Sequence, residues 1–161
     1  MKLRRRLTLT HAGRPFLERW GLVWDRIGGF YLHKIEDADP GMDVHDHPWS
    51  FITIILRGGY VECAALDSRD PFHWTWTTWR RFTVHRMPLT VAHRIVRAEP
   101  GTWTLVLRGP TRRVWGFYLP RIGDGIFAEP ARWVPWTEYD YVNRRANTVI
   151  SNVRDEQMEH G

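Results

Sequence analysis

Hydrophobic positions in this chain fall into short β-forming runs separated by glycine, proline and acidic residues, the pattern of a sandwich or barrel. Phe30 to Ile35 follows the Gly28-Gly29 turn and reads as a strand. Glu36 to Gly41 is a polar loop that leads towards His45. Phe51 to Leu56 is strongly β-forming, Gly58-Gly59 reads as a hairpin turn, and Tyr60 to Ala65 returns from it. After a loop over Asp67 to Pro71, further strands are expected at Trp74 to Trp79, Phe82 to Met87 and Val91 to Val96. Glu99-Pro100-Gly101 and Gly109-Pro110 turn the chain on either side of Trp103 to Leu107, and Val114 to Leu119 follows. Helical periodicity is weak, but Arg14 to Trp24 and Trp136 to Asn147 each suit a short helix on the barrel or its edge. The last dozen residues are polar and suit a frayed end. The expectation is an all-β fold with short peripheral helices. It forms one domain over 1–161, with a core at about 28–120 and terminal segments packed on it.

Composition narrows the classes. A chain that is 43% hydrophobic and 14% aromatic can bury a core and is not disordered. Trp103 and Trp115 sit at strand positions that suit core packing. Trp133-Val134-Pro135-Trp136 suits a segment that closes one barrel end. No stretch is long and apolar enough to cross a bilayer, and the first residues lack the apolar core of a secretory signal, so the expected location is cytoplasmic with no membrane partner. The single cysteine, Cys63, rules out an internal disulfide and thiolate metal clusters, and suits a small buried hydrophobe. The formal charge is +5 and almost all of the positive charge is arginine. Those arginines are scattered apart from Arg4-Arg5-Arg6 and a few pairs, which argues against a nucleic-acid partner.

The chemistry concentrates in His45-Asp46-His47. Two histidines one residue apart on a strand point to the same face, so their imidazoles can converge on one metal ion. A third histidine from a distant strand, for which His93 is the candidate, completes three nitrogen donors and leaves open positions for water or substrate. That is the layout of a reactive centre. Ordinary strand histidines satisfied by backbone carbonyls are the alternative.

His45-x-His47, followed by an apolar strand ending in Leu56-Arg57-Gly58, resembles the first motif of the cupin superfamily. Pro88-Leu89-Thr90-Val91-Ala92-His93 resembles the second, in which a proline-containing turn precedes the third histidine. The resemblance covers roughly His33 to Tyr118. The wider pattern of His45-Asp46-His47-Pro48-Trp49, Gly58-Gly59-Tyr60-Val61-Glu62 and Trp103 to Gly109 also resembles uncharacterised bacterial and phage cupin-like proteins. It implies a double-stranded β-helix, or jelly-roll barrel, with a divalent transition metal in the barrel mouth. Fe(II) is the first choice, and zinc, nickel, manganese or copper are alternatives. Two departures stand out. The glutamate of the first motif is replaced by Phe51 or Ile52, and the glycine of the second by Thr90. The resemblance then implies three neutral histidines without a carboxylate, as in the thiol-dioxygenase branch of cupins. Such a set leaves the metal its full charge and suits substrates that chelate through thiolate, carboxylate or enolate.

Glu62 is the nearest candidate for the missing carboxylate. If Gly58-Gly59 is a hairpin, Ile55 pairs with Glu62, which then lies deeper than the metal by roughly 13 Å at ~3.3 Å per residue. That is too far for direct binding, although a slip or bulge would bring it to the site as a metal ligand or a catalytic group. Otherwise it is a buried acid paired with Arg57 or another arginine, or a solvated one. His85 is a candidate proton shuttle and His33 a candidate substrate contact, each with a satisfied strand histidine as the alternative. Trp49, Phe51 and Tyr60 are candidate walls of a substrate pocket. The functional expectation is a metal-dependent enzyme, an Fe(II) dioxygenase acting on a small chelating substrate. The rivals are a non-catalytic binder of a sugar, nucleotide or peptide, and a non-redox metal-dependent isomerase or hydrolase. Cupin barrels often pair edge strands, so a homodimer is compatible with this reading.

Overall fold

The computed structural model describes residues 2–10, 15–24, 26–41, 43–67, 70–119, 132–139 and 148–149. The strands, in chain order, are β1 (Lys2–Thr10), β2 (Pro15–Trp24), β3 (Gly28–Ile35), β4 (Val44–His45), β5 (Phe51–Arg57), β6 (Gly59–Asp67), β7 (Asp70–Arg80), β8 (Val84–Met87), β9 (Ala92–Ala98), β10 (Thr102–Arg108), β11 (Gly116–Leu119), β12 (Arg132–Pro135) and β13 (Thr148–Val149). They form two antiparallel sheets, one ordered β13-β1-β2-β3-β10-β5-β8 and the other β12-β11-β4-β9-β6-β7. The fold is all-β, a two-sheet jelly roll.

Side chains alternate across each sheet with period two. On β5, Phe51, Thr53 and Ile55 are buried between the sheets while Ile52 and Leu56 are exposed. On β10, Thr102, Thr104 and Val106 are buried, and Leu107 is exposed. Tyr31, Phe51, Met87, Val91 and Val106 form one core cluster, with Trp49 against it. Ile35, Ile55 and Tyr60 form a second, with Trp79 and Ile95 against it. The outer face of the larger sheet is apolar too. Phe30, Leu107 and Ile52 stand in cross-strand register there, with the Leu105–Ile54 pair one row along. Trp103 points to this outer side and stacks on Trp20 at 5.5 Å between ring centres, so it does not enter the core.

Three expectations change. The helix expected over Arg14 to Trp24 is replaced by β2, which bonds to β1 on one side and β3 on the other. Ladder partners on both edges outweigh the weak local preference of this arginine-bearing segment. Gly21 belongs to that pairing, because a Cβ there would sit 2.3 Å from the Tyr31 ring. The helix expected from Trp136 is one 3₁₀ turn over Trp136–Glu138, and 140–147 lies outside the described residues. Gly58-Gly59 is not a hairpin. Gly58 takes a left-handed φ of 70° where the chain crosses from β5 in one sheet to β6 in the other. Thr102 Oγ1 accepts the Gly59 N–H at 3.0 Å and seals that corner. Trp133–Pro135 lies on the edge strand β12, beside β11.

Candidate metal centre

His45 sits on the two-residue strand β4, clamped between β9 and β11, where it stands directly opposite His93 and Phe117. Directly opposed residues on neighbouring strands bring their side chains together. His47, two residues on, points to the same side. The ring centres of His45 and His47, His45 and His93, and His47 and His93 lie 5.0, 5.1 and 4.9 Å apart. One nitrogen from each ring falls within 4.8 Å of the other two. His47 Nε2 and His93 Nε2 are 2.7 Å apart.

Asp46, between them, must point the opposite way, and it is fully buried. Its Oδ1 accepts the Gly116 N–H at 2.8 Å. Its Oδ2 accepts from the Tyr118 hydroxyl at 3.0 Å and Trp133 Nε1 at 3.1 Å, and meets Arg113 Nη2 at 3.0 Å. Arg113 also donates to the carbonyls of His47 and Leu89. One guanidinium therefore ties the His45–His47 turn to the Pro88 turn that delivers His93.

Glu62 overturns its expected position. Since β6 pairs with β9 rather than β5, Ala64 stands opposite His93 and Glu62 is the diagonal neighbour. A long side chain reaches across that diagonal. Glu62 Oε1 lies 2.5 Å from His93 Nδ1, and Oε2 accepts Trp79 Nε1–H at 2.8 Å. Among the described residues it pairs with a histidine and a tryptophan, with no arginine. Burial alone would lower the His93 pKa, but the Glu62 charge and hydrogen bond more than offset this and hold it raised. Burial likewise opposes ionisation of Glu62, and His93 pulls it below its usual value. Burial, then the charge of His93, pushes His45 and His47 well down, with Arg19 adding to both. Neutral rings of that kind carry the lone pairs a metal needs.

The donor set fits a divalent transition metal. Three imidazoles face one point, and the Nδ1 of His93 is engaged by a carboxylate, the arrangement that fixes ring orientation and tautomer in metal-binding histidines. Substituting Glu62→Gln keeps the shape and removes the charge. It is expected to weaken metal binding about 10- to 100-fold, measured by competition with a chromophoric chelator.

The other candidates divide by position. Trp49, Phe51, Tyr60 and His33 line the cavity that the three histidines open into. Phe51 meets His47 edge-on at 4.8 Å, and the Arg108 guanidinium lies 4.1 Å from the Trp49 ring centre. His33 Nε2 accepts from Arg19 Nε at 2.9 Å, and burial, then Arg19, keeps it neutral. His85 lies behind the wall, stacked on Trp79 at 4.2 Å and 2.7 Å from the Tyr60 hydroxyl. Burial raises Tyr60 well above its usual value and lowers His85, so the phenol is the donor. Sequence reasoning missed Arg19, Asp39, Asp46, Thr104 and Arg113. Of these, Arg19, Asp39 and Thr104 line the cavity.

No protein-family model and no curated protein matches this sequence. Solved structures do resemble it. Oxalate decarboxylase from Bacillus subtilis superposes with a TM-score of 0.52 at 13% identity, over 68% of this chain and 28% of its own. A structure of that enzyme concerned with its Mn(II) centres gives 0.51 at 11% identity, with the same coverage. KdgF from Halomonas sp. gives 0.48 at 16% identity, over 62% of this chain and 84% of its own. The chain thus spans little more than a quarter of the length of oxalate decarboxylase. At such identities the likeness speaks to architecture alone. The two antiparallel sheets and the superpositions on oxalate decarboxylase agree: the chain has a two-sheet jelly-roll fold similar to that of oxalate decarboxylase, with three histidines that could hold a metal gathered together.

Proposed function

We propose that this protein is a metal-dependent cupin enzyme, an Fe(II) dioxygenase acting on a small chelating substrate. The observation that carries this reading is the cluster of His45, His47 and His93, with Glu62 held behind His93 and no carboxylate among the three donors. These histidines would hold the metal, which supplies Lewis acidity and, as iron, redox chemistry towards oxygen. The Mn(II) centres of the structurally similar oxalate decarboxylase support a divalent transition metal in a fold of this kind. The chain itself binds and shields. Phe51 and Trp49 wall the donors with aromatic surface, which keeps bulk water from the reacting atoms. The Tyr60 hydroxyl, its proton held by neutral His85, presents a fixed oxygen acceptor at the cavity wall.

The reading is tested by oxygen uptake. Protein loaded anaerobically with Fe(II) is expected to consume oxygen in proportion to product with at least one small thiol or acid, while the Zn(II)-loaded form consumes none. Turnover by the Zn(II) form without oxygen would favour a non-redox isomerase or hydrolase. Binding without turnover under any metal would favour a small-molecule binding protein.

A further inference from the structure

The cavity also carries a carboxylate that the histidine centre does not use. Asp39 stands between β3 and β4 and lines the cavity beside Ile95. Its backbone N–H donates to the Ile95 carbonyl at 2.9 Å, and its Oδ2 accepts the Ile95 N–H at 2.7 Å. These two bonds fix the carboxylate. Its other oxygen, Oδ1, has no hydrogen-bond or ion-pair partner among the described residues. Burial opposes ionisation of Asp39 and raises its pKa, and the Ile95 N–H, His93 and Arg94 offset this only in part. Two further oxygens belong to the same cavity wall. Thr104 is 1% exposed, and its hydroxyl has no partner among the described residues. Tyr60 gives its proton to His85 Nε2 at 2.7 Å, which leaves its oxygen an acceptor. The three residues meet around one apolar cluster. Asp39 is bonded to Ile95, Thr104 stands opposite Ile55, and Ile55, Ile95 and Tyr60 pack together.

We infer that Asp39, Tyr60 and Thr104 form an ammonium subsite, which makes the substrate a small primary amine with a metal-binding acid or thiol at its other end. A protonated amine brings three N–H donors and no acceptor. Asp39 Oδ1, the Tyr60 oxygen and the Thr104 hydroxyl offer it one acceptor each, and the carboxylate supplies the opposite charge. A neutral hydroxyl group brings a single proton and would leave two of these oxygens unanswered. A bound ammonium would give Thr104 the partner it lacks, in keeping with the rule that buried polar groups are hydrogen-bonded. Ile95 lies two residues beyond His93 on β9 and faces the same side, so the subsite adjoins the histidine centre. A ligand that engages both must carry its amine and its chelating group on one short skeleton. This inference rests on the metal reading, and its test separates the two.

The test uses Co(II)-loaded protein, with the cobalt absorption bands as readout during titration at neutral pH with 4-aminobutyrate or with butyrate, which lacks the amine. The comparison is repeated one carbon shorter, with β-alanine and propionate, and one carbon longer, with 5-aminovalerate and valerate. For at least one length, wild-type protein is expected to bind the amino acid about 10-fold or more tightly than the plain acid. Asp39→Asn keeps an oxygen for the Ile95 N–H and removes the charge. It is expected to retain its cobalt and its affinity for the plain acid, and to lose the preference for the amine. An amine that bound the cobalt directly would keep its advantage in this variant, and that result overturns the subsite. Thr104→Val is expected to lower the preference about 3-fold with full cobalt, and to unfold no earlier than wild type, since it deletes a hydroxyl with no partner. Earlier melting of both variants with the preference intact would mark purely structural residues and overturn the proposal. No preference at any length in the wild-type protein, with cobalt bound, overturns the ammonium subsite alone. Failure of the wild-type protein to take up cobalt overturns the metal reading together with it.

Discussion

Replacing His47 with alanine is expected to drop metal content from about one equivalent to below about a tenth, because two imidazoles rarely hold a labile ion through purification. His45→Ala and His93→Ala should match it in metal loss, measured by elemental analysis of tag-free protein purified without chelators. The three variants should differ in stability. His47 is half-buried and meets mainly its fellow histidines and the edges of Phe51 and Trp49, so its loss should cost about 1 kcal/mol or less. His93 is buried and is hydrogen-bonded to Glu62, so its removal strands a carboxylate that is itself only 4% exposed. That should cost about 1–3 kcal/mol more, read as an earlier thermal transition of the metal-free protein. A histidine variant that keeps a full equivalent would not be a ligand.

Asp46→Ala is expected to be the most damaging single substitution for stability, at about 3–5 kcal/mol. It leaves the Gly116 N–H, the Tyr118 hydroxyl and Trp133 Nε1 without their acceptor and takes away the partner of Arg113. For a chain of this length, that is a fall of roughly 10 °C or more in Tm. Asp46→Asn should be nearly as harmful, since its amide group would point N–H donors at other donors. Metal affinity should fall in both, because Asp46 sets the backbone that aims His45 and His47. Unchanged melting in Asp46→Ala would mean that the four contacts contribute nothing net.

Period-two alternation was enough to read most strands, since each inward position needs only its own burial to declare itself. It also places His45 and His47 on one face and Asp46 on the other. What it does not carry is sheet membership. A Gly-Gly corner serves equally for a hairpin and for a crossing between sheets, and only the later pairing of β6 with β9 decides between them. The wrong distance for Glu62 follows entirely from that ambiguity. Asp46 shows the same limit, because its partners Tyr118 and Trp133 lie 72 and 87 residues away. Arg19 was hidden differently. In a segment read as a helix, no cross-strand partner exists for it, so the hydrogen bond it donates to His33 has no sequence signature.

The direct opposition of His45 and His93 also has a kinetic side. His47 and His93 are 46 residues apart, and the strands between them belong to both sheets. Closing a loop of that size yields little until β4 has docked between β9 and β11, so the donors meet only when the second sheet is nearly complete. A two-residue strand cannot hold such a docking by itself. The centre is therefore a product of finished folding, and a chain that has not closed its barrel has no place to gather a metal.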